Sequence, residues 1–124
     1  MIVGVPKETK NNEYRAGLLP VHCEALRQAA HTVLVEHRAG EGSGALDADY
    51  RAAGARIVRS ARELWRRAEF IVKVKEPQPT EIPWLQPGQV VFAYFHFAAD
   101  PVMAHAVRRS GIVAIAYETI RLPD

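Results

Sequence analysis

Val90-Val91-Phe92-Ala93-Tyr94-Phe95 runs six residues without a charge or a turn-former, and it is apolar or aromatic at odd and even positions alike. A strand of that kind is covered on both faces, the mark of a central strand in a parallel sheet. Reading outward, the stretch before it, Glu76 to Gly88, holds four prolines. That is too many for a helix interior or a central strand, so it must be an irregular excursion. Further upstream, Phe70-Ile71-Val72-Lys73-Val74 reads as another strand. Downstream, Asp100 before Pro101 opens a helix, because an acidic cap satisfies free amides and proline presets φ. That helix closes at Gly111, and Ile112 to Tyr117 is a last strand.

The first half repeats the alternation. Ile2-Val3-Gly4-Val5 is a strand stopped by Pro6. Leu18 to Ala30 spaces Val21, Ala25, Leu26 and Ala29 along one helix face. Thr32 to Glu36 is the second strand. The glycine-rich loop Gly40 to Gly44 leads to Asp47, read as the N-cap of a short helix that ends at Gly54. Arg56-Ile57-Val58 is a third strand, and Ser60 with Glu63 has the spacing of a capping box before a helix through Leu64, Trp65 and Ala68. Strands alternating with helices give parallel strands joined by crossovers. The expected fold is a doubly wound α/β unit, mainly parallel, with helices on both faces in the Rossmann-like or flavodoxin-like manner.

Composition narrows the class. With 124 residues, 48% hydrophobic and 24% charged, the chain has the size and balance of one folded domain. The formal charge of +2 is spread along the chain, with no basic run interleaved with aromatics, so nucleic acid is a poor partner. No apolar run approaches the roughly 20 residues a membrane span needs, and no leader pattern is visible, so the expected setting is the cytoplasm. The single cysteine, Cys23, excludes an internal disulfide and reads as a buried or half-buried free thiol. His22, His31, His37 and His105 lack paired spacing with other ligands, so no metal site is expected.

Ligands of open α/β sheets gather beyond the carboxyl ends of the strands. Strand one runs into the loop Lys7 to Arg15, strand four ends at Lys75 and strand five at His96. Arg15 offers a planar fork for a carboxylate, and Lys75 a point charge for a carboxylate or carbonyl oxygen. His96 is of the one residue type whose unperturbed pKa lies near neutrality, suited to moving a proton to and from a carbonyl oxygen. Together they suit a small 2-oxo acid. Each also has an ordinary reading: a solvated loop charge, a strand-end lysine, a structural histidine. Gly40-Glu41-Gly42-Ser43-Gly44-Ala45 formally fits G-x-G-x-x-A but is not tightly joined to its strand, and Glu63, about 20 residues on, falls inside a helix. The loop reads as a turn, so no residue here is assigned to a cofactor. Trp84 in the proline-rich excursion is read as a loop anchor first, and otherwise as a cover for the crevice or a contact with a partner subunit.

Gly4-Val5-Pro6-Lys7-Glu8-Thr9-Lys10-Asn11-Asn12-Glu13-Tyr14-Arg15 closely resembles the amino-terminal signature of the alanine dehydrogenase and pyridine nucleotide transhydrogenase family. Gly40 to Ser43, Asp47 to Tyr50, Val72 to Pro77, Phe95 to Ala99 and Ala116 to Thr119 follow as further family landmarks, so the likeness covers the whole chain. Lys-Glu-Pro at 75–77 and the histidine before Ala98-Ala99 are more like the dehydrogenase than the transhydrogenase subunit. The resemblance implies NAD-dependent interconversion of L-alanine with pyruvate and ammonia. It makes Arg15 and Lys75 the holders of substrate carboxylate and carbonyl, Lys75 and His96 the catalytic pair with His96 as acid and base, and Tyr94 a close neighbour at the substrate site. It also implies homo-oligomers. Residues 1–124 would be the substrate-binding lobe, lacking the nucleotide domain and the segment that completes the lobe, and therefore inactive alone, with apolar surface left bare. The alternatives are the amino-terminal domain of the transhydrogenase alpha subunit, or a freestanding module that binds small acids without catalysis. Two positions depart from the family pattern: Leu19 supplies no hydroxyl cap, and Ala30 stands where glycine is usual.

Overall fold

The short apolar segments pair side by side into a single sheet in the computed structural model, which describes all 124 residues. The strands are β1 (Ile2–Val5), β2 (Thr32–Glu36), β3 (Arg56–Val58), β4 (Phe70–Lys75), β5 (Val90–Tyr94) and β6 (Val113–Ala116). Their order is β3-β2-β1-β4-β5-β6, and every neighbouring pair is parallel. The chain winds outward from β1 through β2 to β3, then returns to β1's other side for β4. The reversal leaves a topological switch point between β1 and β4, where the crossover connections diverge and a crevice opens.

Helices α1 (Pro20–Gln28), α2 (Asp47–Ala52), α3 (Ala61–Arg67) and α4 (Pro101–Ser110) cover the two faces. Alternation along β2 shows the division: Val33 and Val35 join Cys23 of α1 and Tyr50 of α2, while Leu34 joins Leu64 and Trp65 of α3. Ile71, Val91 and Ala93 extend the second cluster to Met103 and Val107 of α4. Trp65 and Tyr50 are wholly buried, each worth roughly 2 kcal/mol or more of apolar transfer. The Tyr50 hydroxyl donates to the Leu18 carbonyl at 2.8 Å, so its polar tip is satisfied. Burial pushes the Cys23 thiol up to about 11, so it remains protonated at neutral pH.

Several boundaries move from their sequence positions. The first helix is shorter at both ends than Leu18–Ala30. Leu19 caps it with no side-chain bond, its own amide donating to His22 Nδ1 at 2.9 Å, and Ala30 sits left-handed at φ 67°. Asp47 is not an N-cap: Leu46 holds that place, its amide bound by Asp49, while Asp47 binds the His37 ring and the Arg38 amide. Asp47 is drawn away because it faces two donors at the end of β2. Ser60 and Asp100 do cap α3 and α4, accepting from Glu63 and Met103 at 3.2 and 3.0 Å. Trp84 lies on a 3₁₀ turn, Ile82–Trp84, and packs against the α3–α4 cluster, anchoring the excursion.

β5 is flanked by strands on both sides, but only one of its faces is sealed. Val91 and Ala93 are buried, whereas Phe92 and Tyr94, on the α1–α2 side, are half-buried. On that side Val113 of β6 is 52% exposed, and an apolar hollow of about 260 Å³ runs between Leu18, Leu26, Phe70 and Phe92. No helix is long and apolar enough to cross a membrane.

The β4–β5 register carries one irregularity with consequences for the rim. Val72 pairs with Phe92 and Lys75 with Tyr94, so three steps along β4 match two along β5. This is a β-bulge. In an unbroken strand Lys73 and Lys75 would share a face. The extra residue instead leaves Lys75 on the side of Phe92 and Tyr94, with Lys73 on the other.

Candidate functional site

Arg15 comes to the rim on the loop after β1, which crosses the sheet closely. A Cβ on Gly17 would lie 2.4 Å from the Val72 carbonyl oxygen, so only glycine lets the loop lie down on β4. The Arg15 side chain is 63% exposed, and its fork is already engaged. Nε and Nη2 donate to the two carboxylate oxygens of Glu13 at 2.9 and 2.8 Å, and the Arg15 amide adds a third bond at 3.0 Å. These bonds, helped by Lys75, hold the Glu13 carboxyl down to about 2 against the pull of burial. The side-chain bonds use Nε and Nη2 and leave Nη1 without a hydrogen-bond partner within the chain.

Lys75, at the end of β4, is half-buried beside Tyr94 in the register, and its amide donates to Glu8 Oε1 at 2.8 Å. His96 lies just past β5 rather than at its last paired residue. It is exposed, and its backbone is left-handed at φ 49°. Glu118 holds that turn, accepting the amides of Phe95 and His96 at 3.1 and 2.9 Å. Burial would raise the Glu118 carboxyl, but the His96 and Phe95 amides outweigh it and leave it lowered. The imidazole stacks on the Tyr94 ring, centroids 5.8 Å apart, and Tyr94 meets Tyr117 edge-on at 4.3 Å.

Three of the predicted residues, Lys75, Tyr94 and His96, share one rim, where they form a continuous run. Arg15 is carried to the same edge of the sheet by the β1 loop, which lies against β4 at Gly17. Arg15 also lines a cleft of about 400 Å³ between the β1 loop and the segment from Arg38 to Gly42. Lys75, Tyr94 and His96 do not line it. Lys75, Tyr94 and His96 present a cation, an exposed imidazole and an aromatic ring together, chemistry that suits an anion carrying a carbonyl.

Sequence reasoning passed over Glu8, Glu13, Tyr117 and Glu118 as site residues. The strand-end rule that selected Lys75 and His96 applies equally to Tyr117 and Glu118 after β6. Glu13 stands two residues from Arg15 with opposite charge, which was signal enough for a local ion pair. No cluster of three His, Cys, Asp or Glu is placed to hold a metal ion.

The family model described as "Alanine dehydrogenase/PNT, N-terminal domain" matches residues 4–124. An alanine dehydrogenase from Halomonas elongata is 47% identical over all of this chain and 33% of its own length. Among solved structures, one titled L-alanine dehydrogenase superposes with a TM-score of 0.96 at 49% identity, covering 99% of this chain and 34% of that one. The transhydrogenase from Sinorhizobium meliloti superposes at 0.91 with 29% identity, covering 99% of this chain and 35% of that one. The chain spans about a third of the length of the curated relatives it matches.

Proposed function

This chain belongs to the alanine dehydrogenase/PNT family as its N-terminal domain, and from that premise we propose that residues 1–124 form the substrate-binding lobe of an NAD-dependent L-alanine dehydrogenase. The substrate is pyruvate in one direction and L-alanine in the other. Arg15 and Lys75 take the carboxylate and the carbonyl oxygen, His96 gives and receives the proton at that oxygen, and Tyr94 backs the imidazole. The supporting observation is that Lys75, Tyr94 and His96 adjoin at the carboxyl ends of β4 and β5, with Arg15 on the β1 loop that lies against β4 at Gly17.

The chain's own glycine loop does not fit a dinucleotide. Gly42 is packed so that a Cβ would lie 2.5 Å from the Tyr14 carbonyl, and Gly40 so that one would lie 2.6 Å from the Tyr50 ring. Those glycines serve loop packing, not the approach of a pyrophosphate. NAD therefore belongs to the family's reaction without a seat in these residues, and the chain binds substrate but does not turn it over by itself. Assembly into homo-oligomers in the cytoplasm is part of the same proposal.

Titrating pyruvate into ¹⁵N-labelled chain is the direct test. Resonances of Arg15, Lys75 and His96 should move together and saturate, and their silence at high pyruvate would defeat the assignment. Robust NADH oxidation with pyruvate and ammonium by the pure chain would defeat the claim that it cannot turn over. The transhydrogenase reading rests on the 0.91 superposition. It predicts no response to pyruvate, and the higher identity to the dehydrogenases weighs against it.

A further inference from the structure

A bulge frees backbone polar groups that an unbroken ladder would pair, and those groups must be bonded elsewhere. In β4 they are taken up by side chains from two other elements. The Tyr117 hydroxyl, just beyond β6, lies 3.1 Å from the Lys73 carbonyl oxygen and 2.9 Å from that of Val74, its one hydrogen shared between them. From the β1 loop, Glu8 accepts the Lys75 amide through Oε1 at 2.8 Å and the Lys73 ammonium through Oε2 at 3.1 Å. Neither side chain is free to hold a ligand by these atoms. Both are spent on three consecutive residues of one strand.

We infer that Glu8 and Tyr117 are positioning residues: together they lock the β4 bulge, and the bulge is what turns Lys75 toward Tyr94 while Lys73 is turned away. The inference rests on the proposed substrate role of Lys75. The geometry supplies the reason for both residue types. Glu8 spans the gap with two oxygens, one for each side of the bulge. Tyr117 reaches carbonyls 73 and 74 from across β5, its ring supported by Phe92 at 4.7 Å and Tyr94 at 4.3 Å. Burial above all pushes the Tyr117 hydroxyl up to about 12, so it stays a donor across the working pH range. Removing the phenol oxygen leaves the ring packing in place and the two carbonyls without their partner.

Tyr117→Phe in the ¹⁵N,¹³C-labelled chain, with pyruvate as the probe, tests this. The expected result is displacement of the Lys73 and Val74 carbonyl and Lys75 amide resonances, and about tenfold weaker pyruvate binding, the loss of one good hydrogen bond's worth of positioning. The thermal midpoint should move by only a few degrees. Glu8→Gln keeps an oxygen for the Lys75 amide and should retain more pyruvate affinity than Glu8→Ala, a rescue that a purely structural role would not separate. Unmoved resonances with unchanged affinity in Tyr117→Phe would overturn the inference. Should the unsubstituted chain ignore pyruvate, the substrate reading fails separately. Nuclear Overhauser contacts between Lys75 and Tyr94 then decide the bulge, their persistence in Tyr117→Phe overturning it and their loss supporting it.

Discussion

Lys73 and Lys75 stand two residues apart on one strand and meet opposite fates. Lys73 has no exposed side-chain surface and is held between Glu8 at 3.1 Å and Glu81 at 3.2 Å. Lys75 is half-buried at the rim, with no ion pair within 4 Å, among groups that face solvent. A sealed charge cannot act on a ligand but is costly to disturb, whereas a rim charge adds little to stability and remains available. Residue type does not distinguish the two lysines; the β4–β5 register puts them on opposite faces.

The largest effect should come from the sealed side. Lys73→Met leaves two buried carboxylates without their cation and should lower stability by about 3–5 kcal/mol in urea denaturation. Lys75→Met should stay within about 0.5 kcal/mol while abolishing the pyruvate response. Equal losses in the two variants would show that the two lysines do not differ in burial or pairing as described. Gly17→Ala should rank next, at roughly 1–3 kcal/mol, because its methyl meets the β4 backbone and that backbone cannot give way. A melting curve measures the loss, and displaced Arg15 resonances would show that the loop has lifted from the sheet.

Two carboxylates sharpen the contrast by titration. Glu13 accepts three bonds from Arg15 and is held at about 2, so its folded-state value lies below the unfolded one. Its contribution to stability is complete above the ordinary carboxylate range and disappears as pH falls through about 2. Glu81 is raised, because burial outweighs the pull of Lys73. Its sign is opposite: the folded state is favoured at pH below the unfolded value, and that advantage disappears as pH rises through the raised folded value. Carboxyl ¹³C titrations should show Glu13 changing last and Glu81 early on acidification, and Arg15→Met should bring Glu13 back toward 4.5. A Glu13 midpoint that ignores the Arg15 substitution would remove the ion pair as its cause. A small gain in stability, rather than a loss, is expected at the end of α1, where Ala30 holds φ 67°. Ala30→Gly should raise stability by about 0.5–1 kcal/mol, read as a higher melting midpoint.

Much of the architecture was legible locally. The β-branched runs, the proline stop at Pro6, the caps Ser60 and Asp100, and the glycine end of α4 are signals carried within a few residues, and the elements stand where those signals put them. Boundaries slipped where a distant partner intervened. Asp47 was drawn off its cap by His37 and Arg38, and Tyr117 left the last strand for a 3₁₀ turn, its hydroxyl bonded to the β4 carbonyls.

Alternation and strand ends were enough to determine a doubly wound parallel sheet and to nominate Arg15, Lys75 and His96 at its carboxyl edge. Which lysine faces the rim was decided only by tertiary structure. Val72-Lys73-Val74-Lys75 reads as strict alternation, with both ammonium groups on one side. The bulge that separates them is held by Glu8, 65 residues from Lys73, and by Tyr117, 44 residues away. A local pattern cannot report bonds formed at such separations, because they exist only once the strands have paired.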